Sequence, residues 1–110
     1  MLPPTGLLEL LRWLLRRRKR YRVTGNSMRP LLVPGDEVLA DPNAYRGRAP
    51  LVGEIVVAPH PHTPGLKIIK RVAAVHPDGY VHLRGDNPDE STDYTLPVQA
   101  LLARVTSRFP

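Results

Sequence analysis

A serine hydroxyl attacks a carbonyl only when a base takes its proton. Two residues of this chain have the setting for those two roles. Ser27 stands in Val23-Thr24-Gly25-Asn26-Ser27-Met28-Arg29-Pro30, with a glycine two residues before it and a proline three after. That composition predicts a tight, stiff turn holding a hydroxyl beyond the end of a strand. A serine beside Gly and Asn also commonly fills turn hydrogen bonds, so the turn alone leaves both roles open. In Leu66-Lys67-Ile68-Ile69-Lys70-Arg71-Val72, strand alternation puts Ile68, Lys70 and Val72 on one face and Lys67, Ile69 and Arg71 on the other. Lys70 thus lies between two branched apolar neighbours. Burial there disfavours the ammonium and lowers its pKa, as a lysine base requires. The alternative is a lysine whose stem packs on the sheet while its charge reaches water.

A third segment, Gly85-Asp86-Asn87-Pro88-Asp89-Glu90-Ser91-Thr92-Asp93, is polar and turn-forming. It lacks the helical flanks and twelfth-position ligand of a calcium loop of the EF-hand type. His60 and His62 sit two apart, on one side of an extended chain. With no third ligand at a recognisable spacing and no cysteine, no metal site and no cofactor are expected.

The elements that must position these groups read as mainly β. Thirteen prolines in 110 residues favour short strands and stiff loops over a helix bundle. Extended apolar runs at 38–40, 54–58, 67–75 and 80–83 are separated by Pro-Gly, Asp-Pro, Pro-Asp-Gly and Asn-Pro signals. Together they predict one curled antiparallel β domain over residues 21–110. Residues 101–105 fit a last strand or a short helix.

Ahead of that domain, residues 1–20 form a separate unit with a basic amphipathic helix predicted over 7–20. Glu9, Arg12 and Arg16 share one stripe of it and leave a wide leucine face. The apolar run is shorter than the ~20 residues of a membrane-spanning helix. The leucines either rest on an anionic membrane surface or pack on their own domain. Residues 1–22 carry seven basic side chains against Glu9, which accounts for the whole net charge of +6. The remaining residues balance, so the body lacks the spread basic footprint of a nucleic-acid-binding domain.

Taken in order, the segments around Ser27, Gly53-Glu54-Ile55-Val56-Val57, Ile69-Lys70-Arg71-Val72 and Gly85-Asp86-Asn87 with Ser91 and Asp93 resemble the boxes of the type I signal peptidase family of Ser–Lys proteases. The likeness covers roughly residues 21–105. It implies the curled β fold shared with LexA-like self-cleaving proteins, Ser27 as nucleophile and Lys70 as general base. It further implies that Ser91 orients the Lys70 amine, that Asp93 holds Arg71, and that the Ser27 backbone N–H stabilises the oxyanion. Substrate, by the same resemblance, docks as an extended strand against residues 21–25 and 66–69, touching Thr24, Gly25, Asn26, Met28, Ile68 and Ile69. Two positions depart from the family pattern. Gly25 stands where some members have a serine, and Thr95 where many have an arginine that pairs with the aspartate.

Only 14 residues separate Lys70 from Gly85, where typical members often insert a further β domain, and no membrane span precedes Ser27. The compact form is similar to the maturation protease of nickel-type superoxide dismutase, in which the nickel belongs to the protein substrate. That resemblance implies removal of an N-terminal leader from a precursor protein, in the cytoplasm, with residues 7–20 as a peripheral membrane contact. Three rivals stand beside it: a compact leader peptidase acting on exported proteins at the membrane, a self-cleaving regulator, and a non-enzymatic β module binding an extended peptide. The regulator would need an Ala-Gly or Cys-Gly bond upstream, and residues 1–26 contain neither.

Overall fold

Branched residues between Pro/Gly turns pair into a sheet because their side chains suit a pleated, half-buried surface. The computed structural model describes residues 2–109. Helix α1 (Leu7–Leu14) is followed by strands β1 (Lys19–Arg22), β2 (Glu37–Asp41), β3 (Ile55–Pro59), β4 (Lys67–Val75), β5 (Tyr80–Arg84), β6 (Tyr94–Pro97) and β7 (Ala103–Phe109). All pair antiparallel in one open sheet ordered β1-β2-β7-β3-β4-β5-β6. The mainly β, antiparallel expectation holds, and residues 103–109 settle the last segment as a strand.

Strand β3 shows why the sheet curls. Its first four residues are all buried, and they divide by alternation between two cores. Ile55 and Val57 join Val23, Met28, Leu32, Val38 and Val105 on one face. Val56 and Ala58 join Val72, Val81, Leu83 and Leu96 on the other. A strand buried on both faces loses the polar alternation of a one-sided sheet. Register shifts between Leu39 and Ala40 and between Val72 and Ala74 bend β2 against β7 and β4 against β5.

The helix expected over 7–20 ends at Leu14. Arg16 takes a left-handed φ of 62°, and the N–H groups of Arg16 and Arg17 donate to the carbonyls of Trp13 and Arg12. This Schellman-type ending satisfies carbonyls that the helix would otherwise leave open. Continuing the helix would also stack Arg12, Arg16 and Arg20 at like-charge spacings of four. The basic run instead becomes edge strand β1, with Lys19–Arg22 opposite residues 37–40 of β2 and Glu37 paired to both Arg20 and Arg22.

Helix α1 is turned the opposite way from an ordinary surface helix. Its polar Glu9 faces the domain, ion-paired to Arg18 at 3.0 Å and hydrogen-bonded by Thr106 and Ser107 of β7. Burial raises the Glu9 pKa, but those hydroxyl bonds and the Arg18 charge outweigh it and leave the carboxyl below its usual range. Trp13 packs edge-on against Phe109, with centroids 5.1 Å apart. Leu7, Leu8, Leu11, Leu14 and Leu15 are left exposed. The reading in which these leucines pack on their own domain is thereby overturned.

Candidate active site

The turn before Ser27 is built by Gly25, whose φ of 78° lies in the left-handed region that favours glycine. Next to it, Met28 is anchored in the core. A buried side chain beside the serine pins the turn and leaves Ser27 at the mouth of a groove of about 190 Å³. Residues 22–24, which continue from β1, line this groove. Residues 66–70 line it too, together with Glu90, Thr92 and Tyr94.

Both stretches have strand edges to offer. Strand β5 pairs with β4 only from Arg71 onward, so residues 67–70 are paired to β3 on one side and free on the other. Strand β1 is the terminal strand of the sheet. Unpaired N–H and C=O groups on such edges are the docking pattern for an extended peptide.

Lys70 stands opposite Val56, is 5% exposed and lines the same groove as Ser27. Ile68 and Val72 flank it and pack into the same core as Val56, as alternation predicts. Burial holds the Lys70 amine below the ordinary lysine range, against the field of Asp93, which pulls it up. The hydrogen bond its Nζ makes is to Ser91 Oγ, at 3.4 Å. That hydroxyl also accepts the Gly85 N–H at 2.8 Å.

Gly85 is the hinge of the arrangement. A Cβ on it would fall 2.4 Å from the Ser27 carbonyl oxygen, 2.4 Å from Ser91 Oγ and 3.0 Å from Ser27 Cβ. Only a glycine lets the last loop approach the Ser27 turn so closely. Asn87 then fastens the two segments: its backbone N–H donates to the Ser27 carbonyl at 2.8 Å and its side-chain amide to the Asn26 carbonyl at 3.1 Å. The Ser27 N–H has no hydrogen-bond acceptor among the described residues, so it is free to serve an oxyanion.

The expected Asp93–Arg71 pair does not form. Arg71 makes a bidentate pair with Asp86, at 2.8 Å for each bond, and donates to the Gly53 carbonyl. Asp93 accepts from Arg84 at 3.2 Å and bonds His82 at 3.0 Å. The reason is the strand order. Strand β5 lies between β4 and β6, so Asp93 is two strands from Arg71 and meets the arginine of the intervening strand first. Asp86, just past the end of β5, is within reach of Arg71. Thr95, standing where an arginine was expected, bonds His82 at 3.1 Å, and Arg84 supplies the guanidinium. The His82 and Arg84 bonds hold Asp93 below its usual range.

Of the residues expected to touch substrate, Thr24, Met28, Ile68 and Ile69 line the groove, whereas Gly25 and Asn26 do not. Those two shape the turn instead: the Asn26 carbonyl accepts from Asn87 and from the Arg29 N–H. Sequence reasoning assigned no roles to Gly85, Asp86 and Asn87, although their run was in view; a glycine opening a polar loop after a strand was the available signal. No cluster of three or more His, Cys, Asp or Glu able to hold a metal occurs among the described residues. Among the described residues, no helix is long and apolar enough to cross a membrane.

Compared with known proteins, residues 6–87 match the family model described as signal peptidase, peptidase S26. The match spans Ser27, Lys70 and the fastening segment 85–87, and stops short of Ser91 and Asp93. No curated protein and no solved structure matches the chain.

Proposed function

The chain belongs to the signal peptidase S26 family of serine peptidases, and from that premise we propose that Ser27 and Lys70 form its catalytic dyad. Ser27 Oγ attacks the scissile carbonyl while neutral Lys70 Nζ takes its proton, with Ser91 holding the amine and the Ser27 N–H facing the oxyanion. The observation that carries this reading is the Lys70 amine, buried, depressed in pKa and facing the groove that Ser27 shares. A lysine that merely extended its charge to water would be neither so enclosed nor so shifted.

The substrate is a protein whose N-terminal leader enters as an extended strand between residues 22–24 and 66–69. The finer proposal is the precursor of nickel-type superoxide dismutase. It is supported by the Val23-x-Gly25-x-Ser27-Met28 and Leu83-Arg84-Gly85-Asp86-Asn87-Pro88 stretches. The direct hairpin from β4 to β5, with no β domain inserted between them, supports it too. The enzyme itself takes no metal or cofactor in this scheme. The work is assigned to the cytoplasm, at a membrane surface: the outward leucines of α1 and the exposed Arg16, Arg17 and Lys19 beside them suit an anionic bilayer.

Incubating the protein with the dismutase precursor and reading the new N-terminus by mass spectrometry tests both levels. Ser27→Ala and Lys70→Met should each lower cleavage by about 10³-fold or more while leaving the fold intact. Cleavage of exported-protein leaders but not of this precursor would keep the dyad and replace the substrate. Undiminished cleavage by either variant would remove the dyad.

A further inference from the structure

Tyr94, the first residue of β6, lines the groove, and the dyad makes no use of it. Its ring centroid lies 5.8 Å from Lys70 Nζ. Its hydroxyl lies 3.1 Å from His60 Nε2, with the two rings edge to face at 5.3 Å.

His60 is itself fastened on every side. Its Nδ1 accepts the backbone N–H groups of both His62 and Thr63, each at 3.0 Å, and its own N–H donates to the Leu66 carbonyl at 2.8 Å. A ring nitrogen that accepts two donors carries no proton, so the imidazole proton is on Nε2 and is given to Tyr94 Oη. The loop between β3 and β4, which ends in the free edge at 66–69, is therefore tied through one imidazole to a ring that covers Lys70.

We propose that Tyr94 is a positioning residue for the peptidase reaction: anchored by His60, its ring shuts water from the Lys70 amine and braces the loop that carries the substrate-docking edge. The inference rests on Lys70 being the base. Two effects of the ring oppose each other. Its π face favours an ammonium, but at 5.8 Å the amine lies near the outer limit of about 6 Å for that attraction. Exclusion of water favours the neutral amine, and burial is the foremost influence on Lys70. Shielding therefore wins, and removing the ring should make Lys70 harder to deprotonate. The other ionisable groups at the groove, Arg22, Lys67 and Glu90, with Asp93 acting through its field, are unchanged by that removal.

The test is an NMR titration of ¹³Cε-labelled lysine, easily assigned because the chain has three lysines, Lys19, Lys67 and Lys70. Tyr94→Ser should move the Lys70 titration upward toward the ordinary lysine range, and the acid limb of the kcat profile should move with it. Tyr94→Phe keeps the ring and loses only the bond to His60. It should leave the Lys70 titration in place while raising KM by about three- to tenfold, the scale of one hydrogen bond. His60→Ala removes the edge-to-face ring contact and the loop anchors as well as the bond, so the Tyr94 ring is freed as it is not in Tyr94→Phe. It should shift Lys70 in the same direction as Tyr94→Ser by less, and serves if that variant does not fold. An unmoved Lys70 titration in a folded Tyr94→Ser or His60→Ala protein would overturn the proposal. Because the titration needs no substrate, a failure here is distinct from a failure to find cleavage.

Discussion

Two regions of the molecule break the same rule in opposite directions. Near β4 and the loop before β6, a lysine is buried; beyond β1 and β7, four leucines of α1 and Leu15 just after it stand in solvent. A buried charge and an exposed apolar stripe are the informative exceptions to ordinary burial. They also differ in how they are held. Lys70 is enclosed by groups that close on one another: Ser91, Gly85, Ser27 and Asn87 form a continuous set of contacts. Helix α1 is held through Glu9 and Trp13, with no residue fully buried. Enclosure in one region tunes an amine for proton transfer. Loose attachment in the other presents a surface.

The largest test of the enclosed region is Gly85→Ala. The added Cβ meets a backbone carbonyl as well as the Ser91 hydroxyl, and the carbonyl cannot swing aside, so the last loop must back away from Ser27. Denaturant unfolding should show a loss of about 1–3 kcal/mol. Cleavage should fall far more than that instability explains, because Ser91 and Asn87 retreat together. Wild-type activity in this variant would mean that the loop does not hold the dyad.

A smaller effect separates function from stability at the same place. The Lys70 pKa is lower in the folded chain than in the unfolded one, so its contribution to stability is complete only above the unfolded value. That contribution is lost as pH falls through the folded one. Below the unfolded value, holding the amine in its buried place is therefore a cost. Lys70→Met should be inactive yet more stable near pH 7, by on the order of 1 kcal/mol, with the gain shrinking at alkaline pH. Thermal melts across that range read the sign directly.

The smallest stability effect is expected in the exposed region. Changing Leu7, Leu11 and Leu14 together to Ser should move unfolding by no more than about 0.5 kcal/mol for each site, as for surface positions. Flotation with vesicles of anionic lipid should nevertheless be abolished. A large loss of stability would show that these leucines are covered by the chain itself, and unchanged flotation would remove the lipid surface as their partner.

Alternation along a strand and the chemistry of turns are local, and those features were legible in the residues. The Ile68, Lys70 and Val72 face was readable from period two, and the Ser27 turn from its flanking Gly25 and Pro30. The strands β2 to β5 followed from their branched runs. Edge strand β1 was readable only in its second half: residues 21–22 open the expected β domain, whereas Lys19-Arg20 continue a basic helical pattern. Only pairing to β2 makes those two residues strand. Strand β6 is four residues ending in a proline and lay hidden for the same reason.

By itself, then, the amino-acid order determined which side chains share a face and where the chain turns, since both depend on neighbours a few bonds away. The tertiary structure alone decided which faces meet. The curl that brings residues 22–27 against 66–70, the choice of Asp86 over Asp93 for Arg71, and the outward turn of the α1 leucines all depend on strand order and on contacts between residues far apart in the chain. Such contacts leave no period in the sequence, because their energy belongs to the pairing of distant segments rather than to either segment alone.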